Sequence, residues 1–321
     1  EILPKVIPAG GCAGRLTKEG AMLLDESGNL EPGIPFCPPE GDGGTGLVAC
    51  NALLPGVGSI SAGTSTLLMM TLDQWPRKPY AELDCMLNPA GKPFIMVQSN
   101  NGTGEIDRLV RLVSDILQTF GASADVSEIY RTLYRKSLEG DPAAGGVVAF
   151  NYYAGEHLTE VKNGHPMLIW EPKSALTLAN LMRAELYSVL GVLRIGLNLL
   201  YKEEGIKPDR IVAHGGFFKV PGVAQQMVAD AFEVPTEVLT TAGEGGAWGI
   251  ALLAAYMVYR SGQETLPEFL NRVVFASAET DERRPDPEGV RGFKAYFKAY
   301  EACFAAEKAL DTNLIDTRRE E

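Results

Sequence analysis

An aspartate stands among glycines in Pro39-Glu40-Gly41-Asp42-Gly43-Gly44-Thr45-Gly46, just ahead of a short apolar stretch. One account of it is conformational. An aspartate in that place caps a helix, accepting from the first free N–H groups at the positive end of the helix dipole. The same physics supports a chemical account. A carboxylate so placed can serve as a base that takes a proton from an alcohol, and glycines beside it let a substrate come close. A second polar group, Ser61-Ala62-Gly63-Thr64-Ser65-Thr66, reads as a hairpin tip. There Gly63 is expected to supply unusual dihedrals while Thr64 and Ser65 present hydroxyls and N–H groups, either as an ordinary turn or as a holder for phosphate oxygens. A third, His214-Gly215-Gly216-Phe217-Phe218-Lys219, separates an apolar strand from a helix. Glycines at such a junction make a tight turn, and they also let backbone press against a flat ligand or a phosphate. The pattern is neither a Walker A loop nor G-x-G-x-x-G. A fourth, Gly243-Glu244-Gly245-Gly246-Ala247-Trp248-Gly249-Ile250-Ala251, sets glycines inside a helix. Each costs about 0.5–1 kcal/mol there, so another backbone is expected to pass close by.

The elements that must position these residues follow from period and punctuation. Residues 1–41 are rich in Gly and Pro with little helical period and read as a connector; Thr45 to Leu54 reads as a helix. Val57 to Met70 reads as strand, turn and strand, with further strands near Leu83–Leu87 and Phe94–Gln98. Ile106 to Phe120 and Val126 to Leu138 have helical spacing, Gly146 to Tyr153 reads as a strand, and Leu176 to Glu204 as a long helix stopped by Gly205. That helix is apolar almost all round, which implies burial between layers. Asp209 to His214, Pro221 to Phe232, Thr236 to Leu239 and Gly243 to Tyr259 then alternate strand, helix, strand, helix, with Pro221 opening the first helix. Alternation of that kind implies a parallel layer with ligand-facing turns at strand ends. Leu266 to Ala309 reads as an amphipathic helical tail.

Composition narrows the function classes. A formal charge of −12 argues against nucleic acid as the main partner. The longest apolar region is broken by Asn180, Arg183, Glu185 and Arg194, so no membrane span is expected, and no basic-then-apolar leader is visible. Cys12, Cys37, Cys50, Cys85 and Cys303 share no short spacing, and His157, His165 and His214 lack metal-ligand spacing. A reducing, cytoplasmic location is the simplest expectation.

Taken in order, Gly41-Asp42, Gly63-Thr64-Ser65, Gly155-Glu156, Arg183-Ala184, Gly215-Gly216 and Glu244 through Gly249-Ile250-Ala251 resemble the FGGY carbohydrate kinases. The opening Leu3-Pro4-x-Val6 and Gly14-x-Leu16-Thr17-x-Glu19-x-Ala21 is similar to that family's approach to its catalytic aspartate. The resemblance runs from about residue 3 to about residue 256. It implies an α/β chain with a ribonuclease-H-like (actin-like ATPase) domain: a mixed sheet flanked by helices, followed by a C-terminal helical tail. Residues 1–55 would be the end of the sugar-binding N-terminal domain and the hinge, carrying the catalytic Asp42. Residues 56–321 would be the C-terminal ATP-binding domain. The implied activity is ATP-dependent phosphorylation of a ketose or polyol, with Mg²⁺. Gly41, Gly63, Thr64, Ser65, Gly215, Gly216, Phe217, Gln225 and Gly246 would border the nucleotide: Gly63 and Thr64 as a phosphate hairpin, Gly215 to Phe217 as the adenosine turn with Gln225 close to it. Gly246 and Gly249 would also lie on the helix that packs at the hinge, and Gly155 and Glu156 on a loop near the cleft. The implied partners are a sugar and the family's N-terminal domain, with a homodimer left open, and neither nucleic acid nor membrane.

Two departures mark a divergent branch. Gly43-Gly44-Thr45 replaces the family's Asn or Gln followed by alanines, and Phe217-Phe218-Lys219-Val220 replaces a third Gly and a Lys-Ser pair. The family's first phosphate loop, an Asp-x-Gly segment on an N-terminal hairpin, is not found. A filament-forming or scaffolding actin-like ATPase would not need Asp42 as a sugar base. A dinucleotide-binding protein would need a different glycine pattern ahead of Glu237.

Overall fold

The computed structural model describes residues 5–239 and 245–313, so Leu3, Pro4, Gly243 and Glu244 lie outside the described residues. The opening segment is more ordered than a connector. β1 (Gly14–Arg15) pairs antiparallel with β2 (Pro35–Phe36) around α1 (Lys18–Leu24), whose first turn is capped by the Thr17 hydroxyl accepting from Gly20 N. Next comes α2 (Asp42–Ala49), ending ahead of the expected Leu54.

Two neighbouring strands form the middle of the main sheet. β3 (Val57–Ala62) and β4 (Thr66–Thr71) are the expected hairpin, followed by β5 (Asp84–Leu87) and β6 (Pro93–Ser99). After α3 (Gly104–Thr119) and α4 (Val126–Ser137), β7 (Val147–Phe150) pairs with β8 (Met167–Trp170) as a separate ladder. The long helix α5 (Leu178–Leu199) closes with a wide turn and Gly205 at φ 69°. β9 (Arg210–His214), α6 (Val223–Phe232), β10 (Thr236–Leu239) and α7 (Gly245–Tyr259) follow the expected alternation. The expected tail breaks into α8 (Leu266–Phe269), an unforeseen strand β11 (Thr280–Arg283), α9 (Pro287–Ala302) and α10 (Phe304–Asn313).

Strand order is β11-β10-β9-β3-β4-β6-β5, a mixed sheet as expected. β3, β9 and β10 run parallel; the other neighbours are antiparallel. Period-two alternation divides its side chains between two layers. Ile60, Ala62, Leu68, Met70, Ile95, Val97, Ile211 and Ala213 face a core shared with α5, α6 and α9. Val57, Met69, Phe94 and Val212 face a second core with α2, α7 and α8. α9 is therefore no tail: Phe293, Tyr296, Phe297 and Tyr300 are buried beside Phe150 and Tyr187.

The polar residues that interrupt α5 bolt other helices to it. Arg183 donates to the carbonyls of Ser137 (3.0 Å) and Leu138 (3.3 Å) at the end of α4. Arg194 donates to the Ala231 carbonyl (2.6 Å) at the end of α6. The guanidinium groups thereby satisfy helix-end acceptors at Leu138 and Ala231, while the Ser137 carbonyl also accepts from Gly140 N (3.2 Å). Glu185, buried near Glu105, has its carboxyl pushed up to about 8 by burial, with the Glu105 charge adding to it. An acid raised in this way keeps its proton in the fold where the unfolded chain has lost it. Its contribution is therefore intact below the ordinary carboxylate range, falls as pH rises toward 8, and levels off above. Glu185→Gln is expected to flatten that decline, which runs at up to about 1.4 kcal/mol per pH unit, in urea unfolding between pH 5 and 8. An unchanged slope would remove Glu185 as its source.

Candidate functional site

Gly41 is the N-cap of α2, with no side chain to offer, and Asp42 is the first helical residue rather than the cap. Asp42 is exposed, and its Oδ1 accepts from Gly43 N at 2.8 Å. A carboxylate at this end of a helix is favoured by the dipole. One turn on, the Thr45 hydroxyl donates to the Asp42 carbonyl (3.0 Å). Here α7 arrives: a Cβ on Gly246 would stand 3.1 Å from Thr45 Oγ1, and one on Gly249 would be driven into the Thr45 carbonyl. The small residues thus mark a backbone-to-backbone crossing, as their cost in a helix implied. Gly246, expected beside the nucleotide, faces α2.

The hairpin tip is held differently from the expectation. Gly63 does not have a positive φ, and a Cβ there would meet nothing within 4 Å, so the unusual dihedral assigned to it is absent. The demanding glycine is Gly102, which sequence reasoning passed over: its Cβ would strike the Gly63 carbonyl. Gly102 N donates to Thr64 O (2.9 Å) and Thr103 N to Gly63 O (2.8 Å), so the tip hangs on the entry to α3. Thr64 and Ser65 are exposed at the tip. The run Asn100-Asn101-Gly102-Thr103-Gly104, polar between a strand and a helix, was the available signal.

The glycine turn after β9 adjoins the same hairpin. Gly215 has φ 102° and ψ 177°, a region essentially restricted to glycine, and its Cβ would lie 2.5 Å from the Ala62 carbonyl. Gly216 is exposed and unobstructed within 4 Å. Together with Thr103, Asp107, Tyr130, Tyr134 and Lys219 it lines a cavity of about 460 Å³. The Tyr130 hydroxyl donates to Asp107, and burial together with that carboxylate holds the phenol above its ordinary range. Beside the turn, the His214 ring is buried with Nε2 unpartnered, and burial pushes its pKa down.

Two residues expected at the nucleotide are otherwise engaged. Phe217 is fully buried in the main core, its ring edge-on to Tyr134 with centroids 6.2 Å apart, so its side chain does not face the cavity. Gln225 Nε2 donates to Thr236 O (2.9 Å) and Asp281 O (2.6 Å), tying β10 to β11. Its helix begins at Val223 behind Gly222 at φ 78°, and not at Pro221. Gly216 of one turn thus lines the cavity directly, and the 63–65 hairpin adjoins it through Thr103, to which Gly63 is bonded. Asp42 is not joined to either: among the described residues Gly43 N is its carboxylate's partner, and α2 rests on the opposite sheet face, against Met69 of β4.

A family model for the C-terminal domain of the FGGY family of carbohydrate kinases matches residues 58–258. A xylulose kinase from Haemophilus influenzae is 25% identical over 301 residues, covering 94% of this chain and 56% of the relative. The ligand-bound xylulose kinase of Lactobacillus acidophilus has a like fold, with a TM-score of 0.76, 18% identity, and coverage of 96% of this chain and 59% of that one. A xylulose kinase from Rhodospirillum rubrum gives 0.75 at 19% identity, over 97% of this chain and 58% of that one. A gluconate kinase from Lactobacillus acidophilus gives 0.73 at 18% identity, over 96% and 58%. The chain spans a little more than half the length of these proteins, and the fold they share with it is that of the actin-like ATPases. With the family match extending over most of the main sheet and the helices around it, the chain belongs to the FGGY family of carbohydrate kinases and carries that family's C-terminal domain.

Proposed function

We propose that this chain is the nucleotide-binding part of an enzyme that transfers the γ-phosphate of ATP to a sugar hydroxyl. The observation that carries the reading is the convergence on Thr103 and Gly216, which line one cavity of nucleoside size, of the 63–65 hairpin, held by Gly102 and Thr103, and the Gly215-Gly216 turn, packed against Ala62 at the end of β3. Thr64 and Ser65 would offer hydroxyls and N–H groups to the terminal phosphates. The cavity beyond Gly216 would take the nucleoside, with Asp107 available to its hydroxyls. Residues 1–55 would close the sugar-binding half and present Asp42, and residues 56–321 would form the ATP-binding domain. Phosphoryl transfer depends on positioning and charge stabilisation, so closure of two domains around the reactants would supply alignment and exclude water. Asp42 would then take the proton from the attacking hydroxyl.

Among the described residues no three His, Cys, Asp or Glu side chains gather into a metal cage. Mg²⁺ is usually held by substrate phosphates, water and one or two carboxylates rather than by such a cage, and would enter with the nucleotide. A pentulose such as xylulose or ribulose would be the substrate; xylulose stands in the names of the Haemophilus relative and of two of the three solved neighbours above. Titration calorimetry of residues 1–321 with ATP and Mg²⁺, run beside a coupled kinase assay on both pentuloses, tests this division of labour. Weak saturable ATP binding without sugar phosphorylation is expected. No binding, or robust turnover by this chain alone, would overturn it.

A further inference from the structure

Past β7 the backbone folds back on itself, Glu156 pairing with Val161 across an isolated antiparallel bridge. A side chain at 155 would collide with the Lys162 carbonyl, which accounts for Gly155 ahead of it. Glu156 is wholly buried. Its Oε2 accepts from Ser99 Oγ (2.7 Å) and Asn101 Nδ2 (3.3 Å), while Oε1 has no hydrogen-bond partner and lies 3.4 Å from His157 Nδ1. A buried carboxylate is costly to keep, so what its donors anchor matters.

They anchor the loop from Ser99 to Thr103. Ser99 Oγ also accepts from Asn101 N (3.1 Å), and Asn101 Oδ1 accepts from Tyr153 N and Ala154 N, each at 2.8 Å. Asn151 Nδ2 donates to the carbonyls of Asn101 (3.2 Å) and Gly102 (2.7 Å). Ser99, Asn101, Asn151 and Glu156 are all buried. From this loop Gly102 N and Thr103 N reach the carbonyls of Thr64 and Gly63. The carboxylate is thus linked to the hairpin tip through one side-chain layer and one backbone layer.

We propose that Glu156 is a positioning residue for the phosphate-facing hairpin: without touching the nucleotide, it fixes the Ser99–Thr103 loop on which the Gly63 and Thr64 carbonyls hang. This rests on the reading of residues 63–65 as a phosphate site. The test uses residues 1–321 bearing Glu156→Ala or Glu156→Gln, with affinities for Mg-ATP and for adenosine measured by ligand-observed NMR. Amide exchange at Gly102 and Thr103 is followed without ligand. Glu156→Ala is expected to weaken ATP about tenfold and adenosine less than about threefold, and to speed exchange at both amides. Glu156→Gln keeps an oxygen for Ser99 and Asn101 and is expected to hold ATP affinity within about threefold. Equal loss of both ligands, or unchanged exchange, overturns the proposal. Absence of ATP binding by the parent chain would instead overturn the nucleotide reading, and the exchange data would still decide whether Glu156 holds the loop. Should Glu156→Ala not fold, Ser99→Ala removes one donor and is read the same way, with about a threefold loss of ATP affinity expected.

Discussion

Asp42→Asn, in an enzyme that pairs this chain with a sugar-binding half, is expected to lower kcat by about 10²–10⁴-fold while ATP affinity stays within about twofold. Asparagine has the same outline and keeps an oxygen for Gly43 N, so the start of α2 should be preserved. What disappears is a group able to take a proton. Because the carboxylate is exposed and its hydrogen bond among the described residues is to Gly43 N and to neither the 63–65 nor the 215–216 turn, its loss should spare the nucleotide. Steady-state kinetics with varied sugar and varied ATP separates the two effects. Near-normal turnover would remove Asp42 as the base.

Gly249→Val carries the largest expected cost in stability. The valine Cβ would be forced into the Thr45 carbonyl where α7 crosses α2, and backbone cannot swing aside as a side chain can. A loss of about 3 kcal/mol or more is expected, seen as a fall in Tm of roughly 6–12 °C for a domain of this size. Because Thr45 lies one turn from Asp42, the same change in the paired enzyme should also lower kcat. Unfolding midpoints equal to those of the parent would show that the two helices separate without penalty.

How much of this was legible depended on whether an element is buried. The β3–β4 hairpin, α5 and the β9-α6-β10 alternation announce themselves because apolar residues fill them. β11 does not: Thr280, Asp281, Glu282 and Arg283 are all exposed, and an edge strand held by backbone pairing and by Gln225 reaching the Asp281 carbonyl leaves no apolar pattern. The glycines at 102, 215 and 249 each answer to a carbonyl far away in the chain, which sequence spacing cannot show. For the same reason Phe217 and Gln225 could be placed on their elements, while the core contact of the one and the β10–β11 tie of the other show only in the fold. The order of short glycine-bearing turns carried the family assignment even though each turn alone was ambiguous. Glu156 could be noticed in that order, yet its work becomes visible only when Ser99 and Asn101 are seen around it.

β11 also bears on how such molecules behave when crowded. Were a second copy to align antiparallel along this rim in the symmetric register, Asp281 would confront Glu282 of its twin on each side, carboxylate facing carboxylate. Like charges directly opposed across a ladder repel, and charged rims are one way sheets avoid lengthening. In that register the rim disfavours an eighth strand of its own kind, by an amount that Arg283 beside Asp281 and Arg284 beside Glu282 reduce.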